Sequence, residues 1–533
     1  MTNHFKSPSG VDPSEKSASA NTGKFDFGIT ALPSASEGGV VDFSERLAID
    51  TVEAEHEYTP AEYRNLRWKI DLCLLPLMWI CYGTQQADKT GTSVMSVFGI
   101  REDTHMVGQD FSWLMTIFYL SYLIAEAPGN YLVQKLRVGR FIGAVMFLWG
   151  IIVLCIGFTD TWAELMVLRS LQGVAECTIS PTFLFITGTF YTAQEHTLRA
   201  VIWGTSNAGM NVISGLIEYA IGDAADAHSV GLRAWRGIAF FLGGLTIVLG
   251  ILAFLFLGTP SEVPWLSQRE KRMAAARIVA NQTGSDRQKH EEWKWSQVRI
   301  AFRDPQTHFF FFTSLVNAMP NGGTTTFGNL VYESFGFTNK ETLLKGTIPQ
   351  HAVSIVYFLV AGYTCYRWKN LRFYWMMASL LPAFAGMLAL ALMNKKTHLW
   401  TQWGLYLMTV TGDLPGLLFS TLLPSNVAGR TKKTVTATLL FVSYCIGNAV
   451  GVQLFQAKDA PKYIPGLTGC AVLYALQFAL MIFWRAWYSY INKKRDLMVG
   501  QMGLTSEEAE RAGKLAAEED MTDFENVHFR YHM

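Results

Sequence analysis

Polar and apolar positions in this chain are segregated on a scale much longer than a strand or a surface helix. Residues 1–68 and 492–533 are polar and charged. The stretch between them carries apolar runs beginning near Ile70, Ser112, Phe141, Ala163, Ala200, Trp235, His308, Thr347, Phe373, Trp400, Val435 and Thr468. Each run approaches the ~20 residues a helix needs to cross a bilayer. The stretch from Phe240 to Leu257, FFLGGLTIVLGILAFLFL, has no charge and is apolar on every helical face, which a half-solvated helix could not sustain. The pattern predicts an all-α membrane protein with twelve transmembrane helices. Runs with one or two ionisable groups make poor single anchors and are expected inside a bundle.

The runs divide into two sets of six, predicting one six-helix bundle over 69–258 and a second over 306–491. The polar link, 259–305, carries a basic amphipathic stretch around Arg269 to Ala280. Each set has a short basic loop after its second run, QKLRVGR at 134–140 and RWKNLR at 367–372. Corresponding marks are what a duplicated transporter leaves, although two unrelated cytosolic loops would look the same. Residues 1–60 contain no signal-peptide core, so 1–68 is expected as a disordered cytosolic tail and 492–533 as a second cytosolic tail. With the N-terminus inside, the inner loops collect more Lys and Arg than the outer ones, which favours both termini in the cytosol. The sequon Asn281-Gln282-Thr283 lies in the link, where attached sugar would overturn this orientation.

Composition removes several function classes. Lys+Arg 44 against Asp+Glu 43 leaves a net charge of +1, and so no field to draw in nucleic acid. The seven cysteines are scattered over the apolar regions without metal-ligand spacing and read as small apolar filler. There is no G-x-x-x-x-G-K-[ST] loop for ATP, no H-E-x-x-H zinc pair and no G-x-S-x-G elbow. The expectation is a non-enzyme with no cofactor and no metal, driven by an ion or substrate gradient.

Polar residues at bilayer depth cost several kcal/mol unless they pair or face water. In the fourth run, LRSLQGVAECTISP places Arg169, Gln172, Gly173, Glu176 and Ser180 on one helical stripe. Such a stripe suits either a structural ion-pair network or a proton and substrate path. The fifth run repeats the pattern with Asn207, Asn211, Ser214 and Glu218, among Gly204, Gly209 and Gly215 that permit close packing. In the first run Tyr82, Gln85 and Lys89 share a face. Lys89 then looks into a cavity, or Asp88 and Lys89 stand in water beyond the bilayer. Asn317 and Asn321 flank Pro320 before Gly322-Gly323, predicting a broken seventh helix that lines a cavity, or a simple kink. Asp413 in TGDLPG and Asn448 in YCIGNAVG complete the set.

Several segments, in order, resemble the fungal allantoate-permease-like branch of the anion:cation symporter family, within the major facilitator superfamily. They are KIDLCLLPLMWICYGTQQADKTG at 69–91, SVFGIREDTHMVGQDFSWLMTIFYLSYLIAEAPGNYLVQKLRVGR at 96–140, LRSLQGVAECTISPTF at 168–183, SYCIGNAVGVQLFQAKDAPKYIPG at 443–466 and DMTDFENVHFRY at 520–531. The resemblance implies twelve helices with inverted repeats, alternating access and proton-coupled uptake of small organic anions. Gly129 with Arg137, Gly139 and Arg140 resembles the family's cytosolic signature loop, with Gln134 in place of its usual acid. Arg367 and Arg372 mark the corresponding loop of the second half. Arg169-x-x-Gln172-Gly173 resembles the helix-four motif whose arginine is associated with proton coupling. Gly209-Met210 lacks the Gly-Pro pair of antiporters, which favours symport.

The expected function is therefore proton-coupled import of an allantoate, ureido acid, vitamin carboxylate or dipeptide by a monomeric multi-pass protein of the plasma membrane. Arg169, helped by Lys89, would attract the carboxylate, Glu176 or another buried acid would carry the proton, and the asparagine amides would read ureido or amide groups. Export of a secondary metabolite on the same fold is the alternative, and a non-transporting nutrient sensor a third reading.

Overall fold

The structure, a computed structural model, describes residues 58–191, 195, 199, 202, 205–227, 231–281, 293–368, 370–393, 398–502, 508, 512–513, 516 and 520–533. Residues 1–57, Gly204, the side chains of Gln134 and Asn281, and Gln282 and Thr283 of the sequon lie outside what is described. Among the described residues every regular element is helical.

Helix α1, Pro60–Val97, starts on Thr59, whose hydroxyl and backbone form a capping box with Glu62, and Pro60 occupies the first turn. Then come α2 (Asp110–Lys135), α3 (Val138–Ile156), α4 (Trp162–Glu176), α5 (Ile179–Phe190), α6 (Ser206–Ala227) and α7 (Ala234–Phe256). The link contributes α8 (Gln268–Asn281) and α9 (Trp295–Arg303). The second half consists of α10 (Pro305–Ser334), α11 (Ile348–Arg367), α12 (Arg372–Leu392), α13 (Leu399–Leu407), α14 (Leu414–Ser420), α15 (Arg430–Gln453) and α16 (Ile464–Gln501). A 3-10 stretch, Met408–Asp413, joins α13 to α14.

Among the described residues seven helical rods are long and apolar enough to cross a membrane: α3, α7, Asn339–Arg367, α12, Leu399–Asn426, α15 and α16. The rods at the first, second, fourth, fifth and seventh runs fall short of that measure, and they carry most of the polar residues that the bundles bury.

Two irregularities differ from expectation. Helix α10 runs unbroken through Pro320, and the Thr324 hydroxyl donates to the Pro320 carbonyl at 2.9 Å, so the expected break of the seventh helix does not occur. The fourth run is broken instead, at Cys177 and Thr178. Pro181 has no N–H to give to the carbonyl four residues back, that of Cys177, and the interruption falls directly after Glu176.

Duplication shows in the packing. Helix α3 lies along α7 as α12 lies along α16, and α1 packs on α6 as α10 packs on α15. Between the halves, α1 meets α10, α2 meets α15 and α6 meets α11. Exchanging each rod with the one six places away maps every one of these pairs onto itself or another, as an internal two-fold relation requires. In the α3–α7 pair a Cβ on Gly150 would lie 2.6 Å from the Ile247 nitrogen, and one on Gly250 would lie 2.5 Å from the Phe147 nitrogen. The backbones touch through glycine. Gly150→Val is expected to cost about 1–3 kcal/mol, read as a lower melting temperature of the detergent-purified protein.

Two apolar cores form, one around Trp149 and Trp235, the other around Phe310, Trp484 and Tyr488. Phe118, Tyr119 and Tyr122 of α2 belong to the second core, which makes α2 a seam between the halves.

The end of the chain is not a free tail. Helix α16 extends to Gln501, and residues 520–533 return onto the second bundle. There Lys432, fully buried, lies 2.5 Å from Asp304 Oδ2 and 2.7 Å from Asp523 Oδ1. Tyr531 stacks on Tyr488 at 4.5 Å and 11°. Asn426 exchanges two bonds of 2.8 Å with the backbone of His532, and Asn492 two of 2.9 Å with that of Tyr531.

A buried charged cluster beside the seam

Because α1 continues to Val97, Asp88 and Lys89 lie inside the bundle rather than in water beyond it. Lys89 Nζ lies 2.7 Å from Glu176 Oε1, and the Glu176 side chain is fully buried. The ammonium also lies over the rings of Phe118 at 5.7 Å and Tyr122 at 5.6 Å, within cation–π range. Tyr122 in turn stacks on Phe441 of α15 at 5.4 Å, so the cation stands next to a contact between the two bundles. Gln85 Nε2 donates to the Glu176 carbonyl at 3.4 Å, at the helix break that Pro181 creates.

Asp88 organises the other side of the cluster. Its Oδ2 accepts from Trp149 Nε1 at 3.3 Å and from Gln172 Nε2. Arg169, 1 % exposed, interacts electrostatically with Asp88 and Glu176. Several bonds stay unfilled among the described residues: Asp88 Oδ1, Arg169 Nη2, Gln172 Oε1 and both Glu176 oxygens, the Lys89 contact being close but poorly directed. Buried polar atoms are rarely left so, and here they are neighbours. Glu218, 2 % exposed, adds an unpartnered Oε1 on α6.

The remaining candidates separate. Asn211 accepts from the Thr90 hydroxyl at 2.8 Å, which attaches it to α1. Asn207 is half-buried and makes no hydrogen bond to a described residue. In the second bundle Asn317 Nδ2 donates to the Gly412 carbonyl at 3.2 Å, in the 3-10 stretch, and approaches Gln477 Oε1 at 3.5 Å. Asn321 Nδ2 lies 3.5 Å from Asp413 Oδ1. These residues form a separate polar group. Asn448 is buried and donates to the Tyr444 carbonyl of its own helix at 2.9 Å.

The first signature loop is fastened in a way the sequence reading missed. Glu262 of the link accepts from the backbone N–H of Val138 at 3.2 Å and of Gly139 at 3.0 Å, capping the start of α3. Gly129 abuts Thr178 at the break in the fourth run. Arg137, Arg140 and Arg367 are exposed, while Arg372 reaches the Thr421 carbonyl at 3.5 Å and Ser425 Oγ at 3.4 Å.

Hydrogen bonds between the bundles gather at one end. Asn329 Nδ2 donates to Ser93 Oγ at 3.2 Å, Gln453 Nε2 to Thr116 Oγ1 at 2.9 Å, and the Ala457 N–H to Gln109 Oε1 at 3.0 Å. Lys340 pairs with Asp223 at 2.7 Å at the same end. At the opposite end no hydrogen bond or ion pair joins described residues of the two halves.

The comparisons agree with this architecture. The Major Facilitator Superfamily pattern matches residues 78–452. The chain is 33% identical over 505 residues to the allantoate permease of Saccharomyces cerevisiae, covering 92% of this chain and 90% of that one. It is 31% identical to an uncharacterized transporter of Schizosaccharomyces pombe over 100% of this chain and 99% of the other. An inward-open xylose transporter from E. coli superposes with a TM-score of 0.57 at 13% identity, over 75% of this chain and 94% of that one, a likeness of fold alone. Duplicated bundles, a charged cluster at their seam and relatives matched along nearly their whole length leave one assignment: this chain is a multi-pass membrane transporter of the Major Facilitator Superfamily, in its allantoate permease-like branch.

Proposed function

We propose that the chain imports a small organic anion together with protons, by alternating access across the plasma membrane with both termini in the cytosol. The observation that carries the reading is the Lys89–Glu176 pair: a buried cation at the seam whose ion-pair partner among the described residues is a buried acid. Protonating Glu176 removes that counter-charge and leaves the ammonium, between the Phe118 and Tyr122 rings, to take a substrate carboxylate. Releasing the substrate lets the acid ionise and the pair re-form. Substrate and proton therefore load together and leave together.

Asp88 places a second carboxyl group beside Arg169, and Gln172 and Trp149 fix its orientation. Arg169 thus acts less as the direct anion site than the sequence suggested, and Lys89 more. Coupling is also what the membrane potential demands. Importing a bare monoanion against a negative interior costs ~2.3 kcal/mol per 100 mV; one proton cancels this and a second makes entry favourable. Bonds between the bundles gathered at one end suit a carrier held at that end while the other can open.

One relative bears the name allantoate permease, so a ureido carboxylate is the first substrate to test. Uptake of labelled allantoate, ureidosuccinate, nicotinate, pantothenate and dipeptides is expected to show one class accumulated faster at acidic than at neutral external pH. A flat response at both pH values would count against proton coupling. Transport in inside-out vesicles under an imposed gradient distinguishes import from export.

A further inference from the structure

A second charged site lies away from the seam, at the end of the bundle where α1 begins. Tyr58, Tyr63, Arg64, Arg67, Glu195 and Arg277 line a cavity of about 440 Å³. Three guanidinium groups face one carboxylate, and Glu195 is already engaged by Arg67 at 3.2 Å and by Arg277. Arg277, whose side chain is 10% exposed, keeps a buried Nη1 with no hydrogen bond among the described residues. Arg64 is exposed and makes no ion pair among the described residues. Neighbouring carboxylates do not relieve this excess, since Glu62 pairs with Arg269, Glu270 with Lys69 and Asp71 with Arg199, each at 2.8 Å.

Arg64 stands six residues before Ile70, where the apolar run starts; at ~1.5 Å per residue this is about 9 Å along the helix, the depth of lipid headgroups. Guanidinium forks bind phosphate oxygens bidentately, and two guanidinium charges in excess of the one carboxylate favour a doubly charged anion. A basic pocket between helices at this level is suited to a phosphorylated headgroup.

We propose that this cavity is a binding site for a doubly charged phosphate group, supplied either by a phosphorylated lipid headgroup of the adjoining leaflet or by a soluble phosphate. Arg64 and Arg277 supply the donors, Arg67 holds Glu195 aside, and the tyrosine rings form the wall. The site is independent of the transport reading, because it shares no residue with the Lys89 cluster.

The test is the melting temperature of the purified full-length protein in detergent, titrated with short-chain phosphatidylinositol bisphosphate, short-chain phosphatidylcholine, inorganic phosphate, and potassium chloride at matched ionic strength. The bisphosphate lipid is expected to raise the melting temperature saturably, with phosphatidylcholine and chloride inert. Arg64→Gln, which breaks no side-chain hydrogen bond or ion pair among the described residues, is expected to leave the unliganded melting temperature unchanged and to move half-saturation tenfold or more to higher concentration. Arg277→Gln should do the same or more. If inorganic phosphate matches the lipid, the source is soluble; if only the lipid acts, it is the headgroup. Either result supports the site. Half-saturation unchanged in Arg64→Gln, or stabilisation reproduced by chloride, overturns it.

Discussion

Lys89→Gln is expected to lower uptake of the organic anion at least a hundredfold, and Glu176→Gln to abolish proton-driven accumulation while keeping exchange of internal for external substrate. Buried ion pairs respond asymmetrically to substitution. Removing one partner leaves an uncompensated charge and costs about 3–5 kcal/mol, whereas removing both can be nearly neutral. In Lys89→Gln, Glu176 escapes that cost by staying protonated, and no ammonium remains for the carboxylate. In Glu176→Gln, Lys89 is permanently without its acid: substrate can bind and cross, but no proton is carried with it. The double variant Lys89→Gln/Glu176→Gln separates structure from mechanism. It should recover the melting temperature of the parent and remain inactive. Glu176→Gln protein that still accumulates substrate with the parental pH dependence would remove the acid from the mechanism.

Asp523→Asn should destabilise the protein by about 2–3 kcal/mol, because charge-assisted hydrogen bonds to fully buried groups are lost, although Lys432 keeps Asp304 as its counter-ion. Asp523 also accepts from the Ala428 N–H at 2.9 Å and the Tyr531 hydroxyl at 2.9 Å, so the substitution disturbs the loop before α15 and the returning segment together. An internal comparison is available in that segment. Arg530 and Asp496 are 2.7 Å apart but solvent-accessible, their side chains 33% and 64% exposed, and losing this pair in Arg530→Ala should cost no more than ~1 kcal/mol. Differential scanning of the two variants reads the contrast directly, and equal losses would show that burial of Lys432 is not what fastens the segment.

Acid should loosen the same attachment. Burial alone would raise the Asp520 carboxyl, but the Arg430 N–H, Lys294 and Gln297 outweigh it and hold the group below its ordinary range. A carboxyl lowered in the folded state stabilises fully above its unfolded value. That contribution is lost as pH falls through the lowered one.

The apolar runs were long enough to declare their helices individually, because a bilayer demands a length and an apolarity that few other environments impose. The two halves, the basic loops, and the Arg169–Gln172–Glu176 stripe on one helix were likewise legible, since helical spacing fixes which side chains share a face. Asp88 was not. It was masked by polar neighbours that look like a helix leaving the membrane, and only the burial of residues beyond it, through Val97, shows that α1 goes on.

Which buried charges become partners also lay beyond the sequence. Lys89 and Glu176 are on different helices, joined by how two rods cross and by a break that Pro181 places just after the acid. The polar end of the chain read as a cytosolic tail because its charges lacked visible partners, and the partner of Asp523, Lys432, lies in another element, α15. Local spacing and hydropathy thus determined the helices and their candidate polar faces. Tertiary packing decided which charges were neutralised, because the energy of a buried charge depends on what stands a few ångströms away in space, whatever the distance along the chain.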